Sequence, residues 1–176
     1  VAKDLFPKLD VQKSGKTTLN KEISISLDKK RICLKDVREH IYRSKVYKLN
    51  LKKNFIYGVD IDTSFSQFKK NIDLDDDVNV IFKKKGKPMT NGRIGTNTVV
   101  EFNTEDMGVI TLTAVVPGDL TGSGKTNQTS LKTVYRHIFK DKMLEGAYFE
   151  AGDINGDGVV DTLDLLLLSK MIEERS

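Results

Sequence analysis

The chain has 176 residues, of which 38% are hydrophobic and 31% charged, with a formal net charge of +4. That length holds one or two domains, and the balance suits soluble globular modules. No run of about 18 apolar residues exists to span a membrane as a helix, and the four leucines at 165–168 are too short a run to do so. A lone cysteine, Cys33, excludes an internal disulfide. It lies in an alternating apolar run and reads as a small buried hydrophobe. His40 and His137 are far apart and have no cysteine partners, which argues against a zinc site or a Cys/His nucleophile pair. The chain opens on Val1 without a basic and then apolar leader, so the expectation is no signal peptide and a piece of a longer secreted protein.

Charge divides the chain. Residues 1–117 hold 22 Lys/Arg against 15 Asp/Glu, whereas residues 118–176 hold 7 against 10. A basic half invites nucleic acid or an anionic polysaccharide. Its lysines, such as Lys48, Lys52, Lys53 and Lys83–Lys85, are instead spread along alternating segments, and no nucleic-acid signature accompanies them. They read as a solvated strand face.

Residues 1–117 are expected to form a β-rich, α+β module. Ile23, Ile25 and Leu27 alternate with polar residues and Ile32 and Leu34 follow, a candidate hairpin. A further alternation through Tyr47, Leu49 and Leu51 runs over Val46–Tyr57. Phe65, Phe68 and Ile72 at i, i+3 and i+7 predict a short helix over Ser64–Ile72, with Ser64 as its cap. Asp73–Asp77 lacks the glycine and spacing of a calcium loop and reads as an exposed turn. Residues 78–82 predict a strand, Lys85–Pro88 and Asn91-Gly92 turns, and Thr98–Phe102 and Val109–Val116 the last strands. Pro117-Gly118 is a join short and stiff enough to hold the two parts of the chain against each other.

Residues 118–176 are expected to be all-α, built as two loop–helix repeats 34 residues apart. Gly118-Asp119 through Leu131 aligns with Gly152-Asp153 through Leu165, and Leu131, Val134 and Ile138 correspond to Leu165, Leu168 and Ile172. The second loop, residues 153–164, has Asp153, Asn155, Asp157, Asp161 and Asp164 at positions 1, 3, 5, 9 and 12. Gly158 stands at the sharp turn, and Val159 offers its carbonyl at position 7. That oxygen-only spacing serves a calcium ion, and four carboxylates so crowded repel one another without a cation. The first loop is poorer. Thr121, Ser123 and Ser130 replace stronger ligands, Lys125 adds a positive charge, and Asp119 is its lone carboxylate. Affinity falls with ligand charge, so the expectation is one firm Ca2+ site and one weak or absent, with loop 1 held by hydroxyl and Asn127 hydrogen bonds to its own backbone.

The Gly-Asp-x-Asn-Gly-Asp-Gly-x-Val-Asp-x-x-Asp-Leu form of residues 152–165, with its upstream partner, resembles a dockerin over Gly118 to Ser176. That family has two calcium loops each followed by a helix, without the incoming helix of calmodulin-type hands. Val115-Val116-Pro117 before loop 1 reads as a strand end, in keeping with that. Two upstream segments, residues 57–72 and 86–100, also resemble the small β-rich X modules that directly precede dockerins. The implied domains are therefore 1–117, with 1–45 unplaced, and 118–176.

The resemblance implies a non-catalytic docking module. Its partner would be a cohesin on a scaffold or cell-surface protein, in the assembly of secreted, carbohydrate-active enzymes outside the cell. Loop positions 10 and 11 help select the partner in that family; here they are Gln128-Thr129 and Thr162-Leu163. Two basic residues at matching helix positions, Arg136 and Lys170, are candidates to pair with acidic groups. The residues add their own argument. Leu166, Leu167 and Met171 align with Lys132, Thr133 and His137 and so are apolar in excess of the core stripe. A second apolar side must be buried by a partner or by the β module. The alternative is a dockerin-like module packed within its own chain or binding a non-cohesin protein. A calcium sensor would need paired helix–loop–helix hands, and no nucleophile–base set, phosphate loop or metal-hydrolase motif supports an enzyme.

Overall fold

The computed structural model describes residues 46–50, 52–72, 78–104 and 108–175. The described residues all belong to one compact unit. The expected hairpin over Ile23–Leu34, Cys33, His40, Leu51 and the Asp73–Asp77 turn lie outside the described residues.

Among the described residues six strands make one sheet: β1 (Lys48–Asn50), β2 (Phe55–Tyr57), β3 (Asn79–Lys84), β4 (Lys87–Met89), β5 (Val99–Thr104) and β6 (Gly108–Ala114). Their order is β1-β2-β6-β5-β3-β4. Every neighbouring pair is antiparallel except β2 and β6, which run parallel with Ile56 opposite Ala114. Alternation along the strands gives the sheet an inner face of Val80, Phe82, Val100, Phe102 and Leu112. On the other face Lys83 reaches Glu101 at 2.7 Å. Helix α1 (Phe65–Ile72) lays Phe65, Phe68 and Ile72 on the inner face. Phe65 stacks on Phe82 at 4.1 Å and Phe68 on Tyr47 at 4.6 Å. Ser64 caps the helix as expected, its Oγ accepting from Gln67 N–H at 3.2 Å.

Two strand expectations need correction. The run Val46–Tyr57 is two strands, because Asn50 Oδ1 accepts from the N–H groups of Lys52 and Lys53, both at 3.1 Å, and folds the chain back. Lys87-Pro88, expected as turn, belongs to β4. The turn is only Lys85-Gly86, with φ of 51° and 75°, the two positive values of a two-residue hairpin turn. Pro88 is tolerated because β4 is an edge strand.

Beyond β6 the chain is helical: α2 (Gln128–Ile138), α3 (Gly146–Gly152) and α4 (Thr162–Glu173). Val134 and Leu168 are fully buried, with Leu131, Ile138, Leu165 and Ile172 packed around them, so the apolar stripes of both repeats meet as the spacing required. This core also takes Val115, Phe55 and Tyr57 from the sheet module. Loop 1 follows a strand, as expected. Loop 2 does not lack an incoming helix: α3 leads straight into it. Nothing local announces α3. Glu145 at its start makes no side-chain cap bond, and glycines bound it. Buried Ala147 and Ala151 hold it, so packing rather than propensity forms it.

Candidate functional site

Loop 2 is organised by its own carboxylates. Asp153, at the end of α3, accepts on Oδ1 from Gly156 N–H (2.9 Å) and Asp157 N–H (3.1 Å), and on Oδ2 from Gly158 N–H (2.8 Å). Asn155 Oδ1 accepts from Asp157 N–H at 2.9 Å, and its amide nitrogen donates to Asp157 Oδ2 at 2.7 Å. Asp157 Oδ1 accepts from Val159 N–H at 2.9 Å. Asp161 caps α4 by accepting from Leu163 N–H at 2.7 Å. Asp164 is fully buried. It accepts from Ile154 (2.7 Å), Asn155 (3.2 Å) and Asp161 (2.9 Å), tying the loop's beginning to the first turn of α4.

Those bonds leave the loop chemically able to take a hard cation. An ionised carboxylate has about four acceptor sites. Asp153 and Asp164 use three each, and Asp157 and Asp161 two each, the second on Asp161 coming from Asp164 N–H in a capping box. Asn155, Asp157 and Val159 stand on an exposed rim. The donors are all oxygen, which fits calcium. They are not gathered: among the described residues no three Asp, Glu, His or Cys side chains converge as a cage, because each carboxylate leans on a backbone N–H.

Loop 1 is built differently. Asp119 is fully buried and accepts five hydrogen bonds. Thr121 N–H (3.2 Å), Thr121 Oγ1 (3.0 Å) and Ser123 N–H (3.0 Å) reach Oδ1. Gly124 N–H (2.7 Å) and Thr96 N–H (3.0 Å) reach Oδ2. Thr121 Oγ1 and Ser123 Oγ lie 2.7 Å apart. Asn127 caps α2 by accepting from Ser130 N–H at 3.0 Å, and Ser130 Oγ accepts from Leu120 N–H at 3.2 Å. The expected hydroxyl and Asn127 bonds are thus present, and Lys125 is exposed.

The unexpected partners come from the sheet module. Besides Thr96 N–H, the Lys84 ammonium donates to Gly122 O, and Asp62 N–H donates to Gly124 O at 2.8 Å. Gly95 is where the two backbones pass: a Cβ there would lie 2.3 Å from Gly122 O. No sequence pattern announced Thr96, Lys84 or Asp62. The one signal was the glycine at 95, which a turn-rich stretch hides.

A second contact joins the sheet module to α3. Lys53 Nζ lies 2.5 Å from Glu150, and Tyr57 OH donates to the other Glu150 oxygen at 2.7 Å. Partial burial works to raise the Glu150 pKa, but the bonds from Lys53 and Tyr57 together hold it below its ordinary 4.5. A depressed carboxylate pKa gives stability that is complete above the ordinary value and fades as pH falls through the folded one. Glu150→Gln is therefore expected to lower the urea midpoint at pH 7 and to flatten its decline below about pH 4.5. Urea titrations of both proteins from pH 7 to 3 check this; parallel pH profiles would refute it.

The candidate partner-binding side chains occupy several settings. Gln128, Thr129, Thr162, Leu163, Leu166 and Lys170 are exposed, and Leu167 and Met171 are half-buried. Leu163 and Leu166 keep 48% and 59% of their surface. Arg136 pairs with Asp141 at 2.5 Å. A groove of about 230 Å³ runs between Gln128, Leu131, Lys132 and Tyr135 of α2 and Leu165 of α4. The alignment misled at one place. His137 is not an outward position but a buried one, its Nδ1 accepting from Leu144 N–H at 2.9 Å. Its counterpart Met171 likewise turns toward Gly118. The excess apolar side of α4 is therefore narrower than expected and centres on Leu163 and Leu166.

No curated protein and no solved structure matches the chain. Residues 117–173, β6's exit through α4, match the family model of the dockerin type I domain, which supports a dockerin in this part of the chain.

Proposed function

We propose that residues 118–176 bind a cohesin on a scaffold or cell-surface protein in a calcium-dependent way, and so assemble secreted, carbohydrate-active enzymes outside the cell. A dockerin type I domain is a non-catalytic docking domain, and such domains generally bind calcium. The observation that carries the reading is the apolar surface left open at Leu166 and at Leu163, itself loop position 11. The sheet module reaches loop 1 and α3 but leaves this surface to a partner. Residues 46–117 act as an X-type companion that stiffens the helical region. No helix among the described residues is long and apolar enough to cross a membrane, so attachment to a surface would come through the partner.

Asp153, Asn155, Asp157, the Val159 carbonyl, Asp161 and Asp164 would hold the ion. Neutralising four carboxylates within one loop is what bound calcium supplies, and its binding free energy then adds to folding. The chain's own part is to present loop and α4 as one unit, through Asp161 and Asp164.

Calorimetry against a panel of cohesins, with calcium and with excess chelator, tests the proposal; one-to-one binding lost in chelator is expected. Leu166→Asp should weaken that binding at least about tenfold, as a central apolar contact does. It should leave the melting temperature unchanged, because the side chain is 59% exposed. A folded, calcium-loaded chain that binds no cohesin would shift the reading to the intrachain or non-cohesin alternative.

A further inference from the structure

We infer that loop 1 is not a second calcium site: the Gly95-Thr96 turn and the Lys84 ammonium of the sheet module take the place a cation would hold there, and they fasten the helical region to the sheet without metal. A carboxylate has about four acceptor sites, and Asp119 receives five donors, one of them the Thr96 N–H of the sheet module. Both oxygens are engaged and the group is fully buried. A cation ligand here would have to give up a buried backbone N–H, and an unpaired buried donor costs about 1–3 kcal/mol.

The matched positions of the two loops supply an independent comparison. Gly122 and Gly124 in loop 1 correspond to Gly156 and Gly158 in loop 2. An added Cβ at Gly122 would lie 2.8 Å from Thr96 O, and at Gly124 2.7 Å from Ile94 O. At Gly156 and Gly158 it would meet nothing within 4 Å. The same turn that stands open to solvent in loop 2 is filled by backbone in loop 1.

Charge agrees. Loop 2 holds four carboxylates and no lysine, whereas loop 1 holds one carboxylate and Lys125. Lys84 adds a second ammonium on the Gly122 carbonyl. A cation already sits on this loop's backbone, supplied by β3. Tyr148 closes the remaining side: it hydrogen-bonds Asn97, while burial first and the Asp119 carboxylate second push its hydroxyl pKa up. Calcium then governs repeat 2 alone, and amino acids fix the setting of α2 on the sheet.

Amide exchange and native mass spectrometry on the full chain in excess calcium test this. Gly95→Val is expected to speed exchange of the Thr121, Ser123 and Gly124 amides at least about tenfold, a local opening, while the amides of Val100 and Leu112 keep their protection. Lys84→Met, which disturbs no backbone, should speed the same three amides several-fold. Asp119→Asn should leave the number of bound calcium ions as in the wild type. An ion lost in Asp119→Asn would overturn the inference, as would loop 1 amides unmoved by both Gly95→Val and Lys84→Met. Neither readout involves cohesin, so failure of docking and failure of this inference are separable.

Discussion

Asp164→Ala is expected to unfold repeat 2 and abolish docking. The side chain is fully buried and accepts from three backbone N–H groups, those of Ile154, Asn155 and Asp161. Ile154 and Asn155 open the loop, and Asp161 starts the helix, so this one carboxylate closes a ring of residues that nothing else joins in the same way. Each donor left unpaired costs about 1–3 kcal/mol, with incomplete additivity, so a loss of about 3–5 kcal/mol is expected. That is a large part of the 5–15 kcal/mol by which a domain is ordinarily stable. Ser130 stands at the matching position of loop 1 and accepts only from Leu120 N–H, so Ser130→Ala should cost about 1 kcal/mol. Urea unfolding in calcium compares the two, and calorimetry with a cohesin reads docking. Chelator should bring the wild type toward Asp164→Ala. A variant with the wild-type midpoint and undiminished partner affinity would disprove both the anchoring role and the calcium reading built on it.

The elements that were legible in sequence are those whose cause is local. Helices α1, α2 and α4 follow from apolar residues at 3.6 spacing, and β3, β5 and β6 from alternation. The course of loop 2 follows from the spacing of its Asp, Asn and Gly residues, which a twelve-residue window contains whole. What was hidden depends on contacts distant in sequence. Asn50 breaks one alternating run into β1 and β2 through two side-chain bonds that composition does not reveal. Helix α3 exists because Ala147 and Ala151 are buried by other elements. His137 is interior and Met171 half-buried, although alignment with the core stripe placed both outside it. Loop 1 is the fullest instance. Its poverty in carboxylates was visible, and the expectation of weak metal binding rested on it. That Thr96 and Lys84 would fill the gap was not, because they lie 23 and 38 positions from their partners Asp119 and Gly122.

The repeat allows a paired substitution in which position in the loop is held constant. Gly124→Ala and Gly158→Ala each put a Cβ on the sixth residue of a loop, at φ of 76° and 90°. A left-handed conformation costs a non-glycine residue about 1–2 kcal/mol, and that cost is common to both. Beyond it the two sites differ. At Gly158 the new methyl meets nothing within 4 Å, and at Gly124 it lies 2.7 Å from Ile94 O and 3.0 Å from Arg93 Cβ. The carbonyl of Ile94 is backbone and cannot rotate aside, so the loop or the turn must move, an overpacking cost of about 1–3 kcal/mol more. Moving the loop also pulls Gly124 N–H from Asp119 and Gly124 O from Asp62 N–H, bonds of 2.7 and 2.8 Å. Gly158→Ala should therefore cost about 1–2 kcal/mol and Gly124→Ala about 3–5 kcal/mol, measured by urea unfolding in excess calcium. Equal losses would mean that loop 1 is as open as loop 2 and that the sheet module does not bear on it. A larger loss at Gly124 assigns the difference to Ile94 and its neighbours, because conformation, residue type and loop position are the same in both.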